Sequence, residues 1–220
     1  MSLRAVAGSL ILIGVALAVA WRGIALLRFE AVERAAYAVV DAPAQSAAAR
    51  AKAIDAQSAA LAPWTAALDM QERARQALAA LARASGDRSR LEPAILDSLR
   101  AKPTDGLEWL ALAKARWDRS APIDAVAAAV DMSIVVAPRE QEAMRQRVLF
   151  LAPMWELLPP DMQRQFINHL VELDWRLGRR GTEDLAAILT EKPEETLAEI
   201  RSLVVARGAE KLWVERLGLR

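Results

Sequence analysis

Histidine occurs once in this sequence, as His169, and cysteine does not occur at all. A lone imidazole can serve as a general base or supply one metal ligand, but a zinc set needs further nitrogen or sulfur donors that this chain lacks. His169 lies in Phe166-Ile167-Asn168-His169-Leu170-Val171, an amphipathic helical pattern with Asn168 and Glu172 close by. A satisfied or partly exposed helix histidine is therefore expected. The absence of cysteine removes disulfides, thiolate metal sites and thiol nucleophiles together. Phosphate-binding GxxxxGK[ST] and GxGxxG loops are missing, as are the GxSxG elbow, HExxH and EF-hand patterns. No cofactor and no metal are expected, and no catalytic residue is singled out. Only an all-α enzyme using two buried carboxylates in a deep pocket stays open as a chemical rival, and no feature of the sequence selects such a pair.

Binding chemistry is better represented. Seven tryptophans are many for 220 residues. Trp64, Trp109, Trp155, Trp175 and Trp213 sit among apolar neighbours at helical spacing and are expected in the core. Trp117 differs. Leu110, Lys114 and Trp117 follow i, i+4, i+7 spacing and share a helix face that does not carry Leu112 and Ala113. An aromatic beside a cation is the composition that interface hot spots favour. Leu110, Lys114, Trp117 and Asp118 are therefore the expected partner-binding residues. Arg179-Arg180, flanked by Gly178 and Gly181, is expected to end a helix over 160–177, with Gly178 as a left-handed cap. The acids from Glu191 to Glu195 are expected at a helix N-terminus.

Charge excludes a further class. Lys+Arg 29 against Asp+Glu 28 leaves a net charge of +1, and between Leu61 and Leu151 13 basic residues alternate with 12 acidic ones. No nucleic-acid face results.

The elements that must position these residues begin with Ala5–Trp21, AVAGSLILIGVALAVAW, where Ser9 is the sole polar side chain. That length approaches what a helix needs to cross about 30 Å of hydrocarbon. Leu10, Ile11, Leu12 and Ile13 form its apolar centre. Trp21 and Arg22 close it, an interfacial aromatic and a cation able to snorkel. Ala18-Val19-Ala20 after an apolar run also matches a signal-peptidase site, but no polar segment precedes it and apolar sequence follows. An uncleaved single-pass anchor is the expectation. Arg4 before the span and Arg22, Arg28 and Arg34 after it favour a cytoplasmic C-terminus, whereas the signal-like start favours export. The bulk is expected in the periplasm of a bacterium, at the inner membrane.

Beyond the span, strand-like alternation is missing and Ala, Leu, Glu, Arg and Gln predominate. Helices are expected over 22–40, 44–61, 65–84, 90–101, 105–118, 121–136, 139–151, 160–177, 182–190, 193–206 and 209–218. Ser89 with Glu92 and Asp105 with Glu108 read as capping boxes, Ser120 precedes Pro122 at another start, and Pro193 suits a first helical turn. An internal repeat accompanies these helices. Ala94-Ile95-Leu96-Asp97-Ser98 and Ala128-Ala129-Val130-Asp131-Met132 lie 34 residues apart, Leu78-Ala79 matches Leu112-Ala113 at the same offset, and Pro103 pairs with Pro138 at 35. A period near 34 is that of a helix–turn–helix repeat.

On these residues, 75–138 resembles two tetratricopeptide-like repeats. Trp109, Leu112, Ala113, Ala125 and Pro138 follow the family pattern in the second. Arg116, Ala129 and Met132 depart from it there, and Arg75 stands at the tryptophan position of the first. The resemblance implies an all-α fold of antiparallel helical hairpins stacked as a short α-solenoid, preceded by one transmembrane helix, and a concave groove lined by the face of Lys114 and Trp117. The expected organisation is an anchor over 1–27, a helical connector over 28–63 and a repeat domain over 64–220. The implied function is a scaffold or adaptor that binds other proteins, membrane-bound envelope components above all, in bacterial envelope assembly. Polysaccharide synthesis or export is the first system it points to. A structural accessory subunit of a larger inner-membrane complex is the alternative.

Overall fold

The computed structural model of the chain describes residues 3–42, 46–173 and 178–219, with side chains for 12–42, 46–173 and 181–219. Among the described residues all regular structure is helical and no strand occurs. The α-helices are α1 Leu3–Asp41, α2 Ala47–Leu61, α3 Gln71–Ser85, α4 Arg88–Ala101, α5 Gly106–Asp118, α6 Ile123–Val136, α7 Gln141–Leu151, α8 Pro160–Leu173, α9 Gly178–Thr190 and α10 Glu194–Ala206. Two 3₁₀ turns, Ala62–Ala66 and Ala152–Leu157, and a π turn at Leu212–Arg216 complete the set. The chain divides into two compact units, Met1–Ala101 and Lys102–Arg220. The division falls within the segment expected to be one repeat domain. It also absorbs the expected connector, because 28–63 supplies core residues to the first unit.

In the first unit α1 runs unbroken for 39 residues, roughly 58 Å at 1.5 Å per residue. Its two halves differ. From Leu12 to Ile24 every side chain stands exposed. Ala25, Phe29, Val32, Ala36 and Val39 then recur at spacings of four and three and are buried or half-buried, the stripe a helix needs to pack on neighbours. They meet Ile54 and Leu61 of α2 and Ala74, Ala77 and Leu81 of α3. Trp64 contributes a half-buried edge-on contact to Phe29, with ring centroids 5.5 Å apart. Arg73 lies over the Phe29 ring at 5.0 Å and binds the Glu33 carboxylate with both Nε (3.1 Å) and Nη2. The start of α4 departs from expectation: the Asp87 carboxylate, not Ser89, caps it, accepting from the Ser89 N–H at 2.9 Å and from its hydroxyl at 2.6 Å. Asp87 can do so because it sits one residue before the helix, where the first N–H groups converge.

In the second unit α5 and α6 form a tight hairpin. Asp105 caps α5 as expected, accepting from the Glu108 N–H at 3.1 Å. Leu112 and Ala113 of α5 are fully buried, as are Val126, Ala129 and Val130 of α6. Small side chains let the two backbones approach, most closely at Gly106, where an added Cβ would come within 2.3 Å of Ala137 Cβ. The Ser133 hydroxyl donates to the Gly106 carbonyl at 2.6 Å across the same contact. Arg116 donates from Nη1 to the Ala125 carbonyl at 2.9 Å and so joins the helices by a polar route. After α5 the chain turns through Ser120, which holds φ 55°, while the Ala121 N–H reaches the Arg116 carbonyl at 3.0 Å. That left-handed turn is glycine's habitual place.

The rest of the second unit is organised around Trp155, 1% exposed. It packs edge-on against Phe166 at 5.5 Å, and its indole N–H donates to Glu199 of α10 at 3.0 Å. Lys192 reinforces this end by donating to the Pro153 carbonyl (2.6 Å) and to Glu156 (2.7 Å). Pro193 caps α10, with Glu194 and Glu195 in its first turn as the sequence suggested. The expected helix end at Gly178 is not observed. Gly178 opens α9, so Arg179 and Arg180 belong to a first turn and not a last one. The apolar stripe Leu185 and Leu189, continued by buried Thr182 and Gly181, carries that helix backward through the glycines.

Two substitutions follow from the hairpin. Gly106→Ala should lower stability by about 1–3 kcal/mol, since backbone and a methyl must move to admit the new carbon. Ser120→Gly should raise it by roughly 0.5–1 kcal/mol by relieving the left-handed conformation. Urea melts of both variants check the opposite signs.

Candidate functional site

The face expected to receive a partner is only partly available. Leu110 is 1% exposed and belongs to the core, which corrects its assignment as a contact residue. Helix α7 packs against α5 on this side and also takes up Lys114. The ammonium donates to Gln146 Oε1 at 3.0 Å and lies 5.9 Å from the centre of the Phe150 ring. Burial, and then the nearby Arg145 charge, pull the Lys114 pKa below its ordinary value, against the attraction of Glu142 and Asp118. Glu142 is held by Arg145 at 2.7 and 3.0 Å and by Gln146 at 3.0 Å, which keeps its carboxyl below the usual range. Lys114 is thus a half-buried strut between two helices. Trp117, 37% exposed, and exposed Asp118 stand beyond the end of that contact. The i, i+4, i+7 spacing puts Leu110, Lys114 and Trp117 on one helix face. It could not reveal how far α7 covers that face, because the contact joins residues some 30 positions apart.

Trp155 and Trp213 are buried at 1% exposure, as expected, whereas Trp64 and Trp109 are half-buried. The Trp109 indole N–H donates to the Pro103 carbonyl at 2.8 Å, just ahead of the start of α5. Trp175 lies outside the described residues.

A polar cluster unforeseen from sequence lies deeper in the second unit. Arg147 of α7 is fully buried; Nη2 donates to the Ala137 carbonyl at 2.7 Å and Nε to the Ala143 carbonyl at 3.1 Å. Burial lowers its pKa to about 10, and it stays charged at neutral pH. His169 is 4% exposed, its Nδ1 has no hydrogen-bond partner among the described residues, and its pKa is lowered to about 4 by burial and then by the Arg147 charge. The expected satisfied or surface histidine is thus neither. It borders an open cleft of about 560 Å³ with Asn168, Glu172, Arg139 and Arg207. The polar groups there bind one another: Arg207 donates to the Asn168 amide oxygen, and Arg139 pairs with the Glu172 carboxylate at 3.9 Å. Neutral His169 and the Glu172 carboxylate both line this cleft. Two further clefts carry Glu194 with Glu210 and Glu183 with Glu215, all four exposed. No cluster of three or more potential metal ligands occurs among the described residues.

No protein-family model matches this chain, and no curated protein or solved structure is significantly similar to it. The functional reading therefore stands on the residues and their geometry.

The histidine makes its own prediction. Its folded pKa of about 4 lies below the unfolded value near 6.5, so its contribution to stability is whole above pH 6.5 and lost as pH falls toward 4. The loss amounts to about 3 kcal/mol at 1.36 kcal/mol per pH unit. Chemical denaturation between pH 7 and 4 should show a steeper fall for the wild type than for His169→Gln.

Proposed function

We propose that this chain is a membrane-anchored helical scaffold whose body binds another protein close to the bilayer. The observation that carries the reading is α1. One helix is long and apolar enough to cross a membrane near its N-terminus, its side chains from Leu12 through Trp21 stand exposed, and its second half is built into a packed core. Leu12 and Ile13 are 71% and 56% exposed, and Trp21 is 74% exposed. So much apolar surface in water would be a severe aggregation liability. Leu10 and Ile11 continue the helix, with side chains outside the described residues.

Partner binding by the exposed end of α5, through Trp117 and Asp118, with Lys114 as the strut behind them, is the second part of the proposal. Each unit encloses its own apolar core, which favours an autonomous binding module over a subunit ordered by its neighbours. The tetratricopeptide-like stacking, the inner-membrane address with a periplasmic body, and a role in envelope assembly, with polysaccharide synthesis or export first, extend the proposal from the sequence resemblance. Anchoring would serve such a scaffold by raising its effective concentration near membrane-bound partners.

Alkaline carbonate extraction tests the anchor: the chain should stay in the pellet, and Val15→Asp with Leu17→Asp should release it. For the surface, Trp117→Ala should weaken photocrosslinking to the partner in intact membranes about tenfold, near 1.4 kcal/mol. Its thermal midpoint should move by less than about 2 °C, because more than a third of the ring is already solvated. A large loss of stability would make Trp117 a core residue.

A further inference from the structure

The turn between α2 and α3 ends on an exposed apolar tip. Ala62, Pro63 and Ala66 are exposed, and Leu68, at 85%, is the most exposed large apolar side chain among the described residues. Its neighbour Asp69 forms an ion pair with Arg22 of α1, the first charged residue after the uncharged run. Half-buried Trp64 in the same turn packs on Phe29, two helical turns further along α1. The tip is therefore fixed alongside α1 at the level where the apolar run ends.

α1 stays apolar past that level. Ile24, Leu26 and Leu27 are 49%, 40% and 67% exposed, and Arg22, the one charge between Ala5 and Leu27, is the residue that Asp69 neutralises. Twenty-three residues of helix extend roughly 34 Å, so Trp21 to Leu27 lies at the depth where hydrocarbon gives way to headgroups. An ion pair at that depth gains from the lower dielectric, where an isolated arginine would have to snorkel.

We propose that the Ala62–Leu68 tip is a second membrane contact: Leu68 inserts into the lipid interface beside α1, and the Arg22–Asp69 pair sets its depth. The occupant is the lipid of the bilayer that α1 crosses, since the tip is continuous with the surface of the span. This rests on the anchor reading. It adds that the first unit is held against the bilayer at two points and cannot swing about α1.

The lack of cysteine makes the test direct. Single cysteines at Leu68, Val15 and Ala48 in the full chain are labelled with an environment-sensitive dye and reconstituted into phosphatidylethanolamine–phosphatidylglycerol vesicles. Ala48 is exposed near the start of α2, away from the tip. Expected are a blue-shifted Leu68 label that loses more than half its emission to lipid carrying a nitroxide near the headgroup, a Val15 label quenched by a nitroxide deep in the chains, and an Ala48 label quenched by aqueous iodide alone. Asp69→Asn should at least halve the lipid quenching at Leu68. If Val15 is lipid-quenched while Leu68 responds only to iodide, the tip proposal is overturned and the anchor stands. Lipid quenching at Ala48 equal to that at Leu68 would also overturn it, as general adsorption. A Val15 label quenched by iodide would overturn the anchor and the tip together.

Discussion

A single helix with two unlike halves governs this protein. From Leu12 to Trp21, α1 presents exposed apolar side chains, which water disfavours and lipid accepts. The second half narrows its apolar surface to the stripe Ala25, Phe29, Val32, Ala36, Val39, which α2 and α3 cover. No loop separates the halves. A helix without a break transmits position and orientation, so under the proposed anchoring the first unit would be placed by the way α1 meets the bilayer. The ion pairs Arg22–Asp69 and Arg73–Glu33 run along the same seam. They set register there, while the buried stripe provides the adhesion.

The second unit works by a different balance. Its hairpin α5–α6 depends on smallness: Gly106, Ala113 and Ala129 let the helices close to backbone contact. Its remaining helices depend on large anchors, Trp155, Phe166 and Trp213. Between the two lies Arg147, a fully buried cation satisfied mostly by backbone carbonyls. A buried charge without a carboxylate partner is expensive, and its field helps hold His169 neutral. This polar seam ties α7 to the end of α6, and its buried histidine is the group expected to make the unit sensitive to acid.

Much of this was legible in the sequence. The all-helical class, the apolar N-terminal helix, the Asp105 cap and the burial of Leu112, Ala113, Trp155 and Trp213 follow from composition, periodicity and capping chemistry. The α1 stripe was equally readable, in the 25-29-32-36-39 spacing, although the expected boundary between anchor and connector at residue 28 falls inside one continuous helix. What resisted reading was tertiary. The cover over Lys114 comes from α7, some 30 residues away. The solitude of His169 Nδ1 depends on which side chains surround it, and the start of α9 at Gly178 on the Leu185–Leu189 stripe outweighing glycine's tendency to end helices. Periodicity assigns a face to a residue but does not say what covers it.

The continuity of α1 is the claim on which the account turns, and Gly23, with open space around its missing side chain, is where a hinge would form. Hydrogen–deuterium exchange on the full chain in lipid nanodiscs tests it most directly. The amides from Trp21 to Asp41 should exchange as slowly as those of α3, with no fast step at Gly23. Rapid exchange over 21–28, beside a slow α3, would show two helices joined by a flexible joint and would contradict the account.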